Sequence, residues 1–230
     1  MISRYTITLS AQELCDAFGL PLSEKYKPRY NAAPTQLLPI IINTNPEGIS
    51  FFYWGTTPSI AKNKSVADRL LTSDIEKSQT SRSLKSGLEK NRCIIPADGF
   101  YLWKQVGKKT QIPHRVALSN NDLFAFAGIW EEFESDNGQV LHIFRIITTV
   151  ANSLVMEFNP RMPWVLTVQE AKNWLSETKI SYEVIPEINP NLEFYAYSVS
   201  PRINSIEEEG ESLIRKISPT DQYGNYSLFD

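Results

Sequence analysis

A single α+β domain, mainly an antiparallel β-sheet or half-open barrel with a few peripheral helices, is the fold class that this 230-residue chain predicts. Three observations predict it. Apolar runs of strand length, rich in β-branched and aromatic residues, recur between Asn, Asp and Gly turns. Two capping boxes, four residues long with Ser or Thr first and Glu last, mark the starts of short helices. No internal repeat or linker divides the chain, and 42% hydrophobic with 21% charged residues is ordinary globular composition.

In order along the chain, Tyr5 to Leu9 reads as a strand, and Ser10-Ala11-Gln12-Glu13 opens a short helix through Leu14, Ala17 and Phe18. Leu37 to Ile42 and Ile49 to Trp54 form a hairpin around the turn residues Asn43 to Gly48. From Ala61 to Lys90 the chain is polar, lacks aromatic residues and shows helical spacing only through Leu84 and Leu88, which predicts a mobile loop and a helix. Ile94-Ile95, Tyr101 to Lys104, Ile112 to Leu118, Leu123 to Ile129 and Val140 to Thr149 are successive strands. Thr167-Val168-Gln169-Glu170 repeats the capping box and starts a helix ending near Thr178. Tyr182 to Ile185 and Phe194 to Val199 complete the strands, so the domain spans 1–217 and 218–230 is a polar tail expected to be dispensable for the core.

Composition excludes several function classes. The two cysteines, Cys15 and Cys93, lack CxxC or CxxH spacing, so neither a disulfide framework nor a zinc site is supported, and no cofactor motif stands out. His114 and His142 have no ligand-spaced neighbours and read as surface or half-buried packing residues. Without a signal peptide or an apolar stretch of about 18 residues, the expected location is the cytoplasm. A net charge of −3 argues against a strongly basic, non-specific nucleic-acid binder. Lys104, Lys108, Lys109 and Arg115 form a basic hairpin that either tracks nucleic acid or keeps an edge soluble, and Glu207-Glu208-Glu209 reads as a solvated turn or helix start.

Eight blocks carry a resemblance. They are Arg4-Tyr5, Arg29 to Thr35, Trp54-Gly55 with Pro58, Arg92 to Tyr101 with Trp103, Phe126 to Trp130, Thr148-Thr149 with Ala151-Asn152, Arg161-Met162-Pro163, and Val199 to Ser205. In this order they resemble the SOS-response-associated peptidase family, whose members handle abasic DNA in the DNA-damage response. The resemblance implies a catalytic cysteine at position 2, whose α-amine and thiol close a thiazolidine ring on the abasic aldehyde, assisted by a glutamate and a histidine. Here those positions hold Ile2, Leu102 and Asn159; of the four chemical positions, Asn31 alone keeps its side chain. No thiol, acid or base remains for proton transfer. Asn31 itself has two readings, a retained site residue or a turn residue before Pro34.

For DNA contact the resemblance offers Arg4, Arg161 and Trp54. Arg161 has a second reading as a donor to buried carbonyls. A phosphate-binding arginine of the family falls on Asp74, where a negative charge repels the backbone. The expectation is a catalytically degenerate protein retaining weak, non-covalent binding of single-stranded DNA or a protein partner, with no membrane association. The alternative is an enzyme that forms a reversible imine with abasic DNA through the Met1 α-amine or a lysine.

Overall fold

Tyr5–Ile7 (β1) lies between two strands distant in sequence, and this placement organises the computed structural model, which describes residues 2–56, 70–107, 109–134, 138–177 and 188–226. The expected capping box follows it: Ser10 accepts from the Glu13 amide and Glu13 from the Ser10 amide, which starts Ala11–Phe18 (α1). Arg29–Ala32 (β2) pairs with β1, with Tyr5 opposite Ala32. Leu37–Ile42 (β3) and Asn45–Trp54 (β4) form the expected hairpin, but Ile42 faces Asn45, so the turn is two residues and not six. A register shift between Ile40 and Ile42 absorbs the irregularity.

The polar stretch contains more structure than its composition suggests. Thr72–Asp74 (β5) and a 3-10 turn at Ile75–Gln79 precede the helix Arg82–Lys90 (α2), on which Leu84 and Leu88 are buried as the spacing predicts. The strands Arg92–Ala97 (β6), Gly99–Val106 (β7), Thr110–Leu118 (β8), Phe124–Glu134 (β9) and Val140–Val150 (β10) follow. Ser153–Met156 (α3), Arg161–Pro163 (β11), Val165–Leu166 (β12), the capped helix Val168–Ser176 (α4) and Phe194–Ser198 (β13) come next. The strand expected at Tyr182–Ile185, the loop at 57–69 and Lys108 lie outside the described residues.

Two sheets result. The five-stranded one runs β13-β8-β7-β1-β2. In the other, β10, β4, β3, β6 and β9 pair in sequence and β9 pairs back to β10, so the half-open barrel is closed. Closure uses a parallel contact, with Ile143 opposite Tyr53 and Phe144 opposite Trp54. Closure removes sheet edges that would otherwise expose unpaired amides. At Gly128 a Cβ would lie 2.5 Å from Ile95 Cδ1 and 2.8 Å from Cys93 Sγ, so any side chain there would push β6 away. Cys93 is the expected small buried hydrophobe, and burial raises its thiol pKa.

Arg92 fixes two helices against the barrel. Its guanidinium donates to Leu88 O and Glu89 O at the end of α2 and to Trp174 O and Glu177 O at the end of α4. A cation placed on C-terminal carbonyls satisfies acceptors the helix itself cannot. No helix among the described residues is long and apolar enough to cross a membrane.

The two sheets meet through Tyr5, which is fully buried and sits edge-on to Trp54 at 5.4 Å and to Phe126 at 5.7 Å. The β1 register is fixed by a buried cluster. The Asp98 carboxylate accepts from Thr6 Oγ1, from Thr8 N and Oγ1 at 2.6 Å, and from Arg115 Nη2 at 2.9 Å. Arg115 therefore belongs to the interior and not to an exposed basic hairpin, its buried charge being compensated by the Asp98 carboxylate. His114 is likewise buried, with Nδ1 near Ile112 O and its ring against Phe158 at 5.0 Å. The tail is docked at Gln222, which accepts from Gln111 N and donates to Lys109 O.

Replacing Asp98 by Asn should leave the Arg115 charge buried without its counter-ion and lower folding stability by about 3 kcal/mol. Urea unfolding of the two proteins measures this, and a change below about 1 kcal/mol would mean that the pair is not what holds β1.

Candidate functional site

Because β1 is clamped between β2 and β7, the residues preceding it are positioned as well. Ile2 is 2% exposed and belongs to the apolar core. Its outer side lines a cavity of about 260 Å³ together with Thr72 and Asp74 of β5, Thr148 of β10, Asn159, and Arg161 and Met162 of β11. The floor arises where β10 runs on beyond the barrel: Thr148 lies opposite Asp74 on one side and Pro163 on the other.

Asn159 is held by the turn after α3. Asn152 caps that helix by accepting from Val155 N, Asn159 N donates to Val155 O, and Asn159 Oδ1 accepts from Arg161 N at 2.9 Å. Asn159 also lines a second, neighbouring cavity of about 450 Å³, shared with Leu102, Trp103, Phe158 and Asn204. The three positions at which the sequence suggested lost chemistry thus meet around Asn159, Ile2 on one side and Leu102 on the other.

Asn31 stands apart. It lines neither cavity, and its Nδ2 donates to Ser205 O at 2.8 Å, Glu208 O at 3.1 Å and Ile203 O at 3.4 Å. Its backbone amide and that of Tyr30 donate to Glu209. Asn31 and Glu209 together tie β2 to the loop after Pro201–Asn204, so the acidic run is a structural brace and more than a solvated turn. Asn31 Oδ1 is buried with no partner among the described residues.

The three candidates for DNA contact have different surroundings. Trp54 is fully buried, its ring stacks on Phe144 and its indole N–H donates to Leu71 O, so it offers no face to a base. A Trp on a barrel strand satisfies its large apolar surface inward, which sequence blocks alone do not reveal. Arg161 is committed to protein: Nε lies 3.2 Å from Asp74, Nη2 lies 2.7 Å from Glu76, and Nη2 also donates to Thr148 O. Its carbonyl-binding role was foreseen, but its two carboxylate partners were not. Arg4 is half-buried; among the described residues its guanidinium bonds only to Ser3 O, at 2.8 Å, and its Nε is buried without an acceptor. Burial lowers its pKa.

Thr72, Thr148 and Met162 are cavity residues that sequence reasoning did not select. Thr148 and Met162 lay in recognisable blocks and Thr72 did not, and strand pairing over long range is what assembles them. Asp74 and Arg161 are the ionisable residues among the described ones lining either cavity, and they are bonded to each other. Among the described residues the cavities therefore present no thiol, no free carboxylate and no imidazole. Among the described residues no group of three or more His, Cys, Asp or Glu is placed to hold a metal ion.

Comparison with known proteins adds the following. Residues 1–206 match the sequence profile of the SOS response associated peptidase (SRAP) family. The chain is 33% identical over 222 residues to abasic site processing protein YoqW of Bacillus subtilis, covering 93% of this chain and 99% of that one. It is 27% identical over 195 residues to abasic site processing protein YedK of Escherichia coli, covering 82% and 85%. A crystal structure of a protein from Bacteroides thetaiotaomicron has the same fold, with a TM-score of 0.76 at 21% identity over 93% of this chain and 99% of that one.

The Asp74–Arg161 pair predicts a pH dependence. Partial burial opposes the Asp74 charge, but hydrogen bonds from Lys77 and Thr148 and the adjacent Arg161 outweigh it, so its pKa is lowered. A carboxylate with a depressed folded-state pKa contributes stability above its unfolded value and loses it as pH falls through the folded one. Asp74→Asn should therefore lower stability at neutral pH by about 1 kcal/mol and the difference should vanish well below about pH 4. Urea unfolding at both pH values checks the sign.

Proposed function

The chain belongs to the SOS-response-associated peptidase family, and from that premise we propose that it binds single-stranded DNA without forming a covalent adduct. The observation that carries this reading is Ile2, buried to 2% and shared between the core and the cavity beside Asn159. A thiazolidine needs an amine and a thiol on one residue, and an isoleucine supplies no sulfur. Leu102 and Asn159 in turn give neither a proton donor near neutral pH nor a base.

Cys93 and Cys15 offer no substitute, being buried with their nitrogens in peptide bonds. The relatives' designation as abasic site processing proteins brings DNA to this chain as its ligand class. Arg4 supports the same class: a half-buried guanidinium with one carbonyl bond and no carboxylate keeps donors for a phosphate oxygen.

The test mixes purified protein with single-stranded DNA carrying one abasic site, with and without borohydride, and separates the products on a denaturing gel; fluorescence anisotropy on the same DNA measures binding. Measurable binding with no shifted band in either lane is expected. A heat-stable band without reductant would refute the non-covalent reading. A band that needs reductant would assign an imine, and its loss on N-terminal acetylation would place it on the α-amine and not on a lysine. Absence of binding would refute DNA as the ligand.

A further inference from the structure

The larger of the two cavities is lined by carboxamides. Asn159, Asn204, Gln105 and Gln111 surround it, with the half-buried Trp103 at its side, and no described side chain lining it is charged. A phosphate would find no cation there, and an apolar ligand would leave the amides unpaired.

The direction of each amide is set by partners that can only donate or only accept, so the oxygen and nitrogen ends are not interchangeable. The Trp103 indole N–H donates to Asn204 at 2.9 Å, so that atom is the oxygen and the Asn204 NH₂ is free. The Arg161 backbone N–H donates to Asn159 at 2.9 Å, which frees the Asn159 NH₂ in the same way. Gln105 uses its NH₂ on Gly107 O at 2.9 Å and Thr110 O at 3.1 Å, so its oxygen accepts from Gln111 Nε2 at 3.0 Å. The Gln111 carbonyl is left over. The cleft thus holds two free NH₂ donors and one free carbonyl acceptor on neutral groups.

We propose that this cleft is a subsite for an intact, unpaired nucleobase, with thymine or uracil as its best fit. Their Watson–Crick edge presents acceptor, donor, acceptor, which is the complement of two amide donors and one amide acceptor. Adenine and cytosine each present an amino donor that would face an NH₂ group. Splayed bases of single strands are read on this edge, commonly beside an aromatic ring, and Trp103 supplies one. Leu102 and Phe158 add apolar surface, so the position at which the family carries an acid here forms a wall for a base. The inference rests on the reading that the chain binds single-stranded DNA.

The test is fluorescence anisotropy at one fixed salt concentration, using a mixed-sequence single-stranded oligonucleotide whose central position is thymine, adenine, cytosine or an abasic site. Thymine should bind about tenfold more tightly than adenine or the abasic site, the discrimination expected of a paired set of base-edge hydrogen bonds. Asn204→Asp keeps the acceptor for Trp103 but removes the NH₂, and it should erase the ratio between thymine and abasic DNA. Because that ratio compares two DNAs of equal charge on one protein, repulsion between the added charge and the phosphates cancels from it. Equal affinity for all four DNAs would overturn the base subsite and leave non-covalent DNA binding standing. A preference for adenine would overturn the edge match, and failure to bind any of the DNAs would overturn both readings.

Discussion

The Asp98 carboxylate, buried under β1 and held by Thr6, Thr8 and Arg115, is the constraint on which the position of the functional cleft depends. Burial alone disfavours the Arg115 charge, yet Asp98 and Tyr197 beside it raise its pKa, so the guanidinium stays charged within the sheet. Arg115 also donates to Asp98 O and Tyr197 Oη, and Tyr197 Oη donates to Ile214 O, so one guanidinium links β1, β7, β8 and β13 to the C-terminal segment. Gly99 is required there: a Cβ would lie 2.6 Å from Arg115 Nε. With β1 fixed, Tyr5 enters the barrel and Ile2 and Ser3 reach the cavities.

The barrel and the cleft are nearly separate physical problems. The barrel closes through β9, β10 and β4 and needs only its interior side chains. The cleft lies on the extension of β10 beyond the barrel, roofed by the chain start and the turn at Asn159. Where the resemblance implies a thiol, a carboxylate and an imidazole, Ile2, Leu102 and Asn159 stand at this cleft, the first two packed into the core as well.

Both capping boxes and the long strands were legible because their signals are local: a Ser or Thr three residues before a Glu, or an alternating apolar run. The short strands β2, β5, β11 and β12 were not, since each is two to four residues long and exists through partners far away in sequence. Arg115 was placed in a basic hairpin and His114 at the surface or half-buried, because polar residues are normally exposed; their full burial depends on Phe158, Asp98 and Tyr197, which sequence spacing does not bring together. Of the cavity lining, Ile2, Leu102 and Asn159 were legible, since motif blocks position them. Its polar floor was not, because Thr72, Thr148 and Arg161 converge only through the parallel β5–β10 pairing and its neighbour β11.

Asp74 changes the electrostatics of the cleft as well as its local charge. Where the family resemblance expects an arginine, the carboxylate of Asp74 bonds to Arg161, and Glu76 bonds to the same guanidinium. A cation that could have faced a phosphate is thereby neutralised twice, and Lys77 is drawn to Asp74 at 2.8 Å as well. Among the described candidates for DNA contact, Arg4 alone keeps its charge uncompensated. Counterion release scales with the number of phosphates neutralised, so a cleft with so few free cations gains little from it. The proposed affinity for a single strand then draws on neutral contacts as well, and the carboxamides around Trp103 supply them.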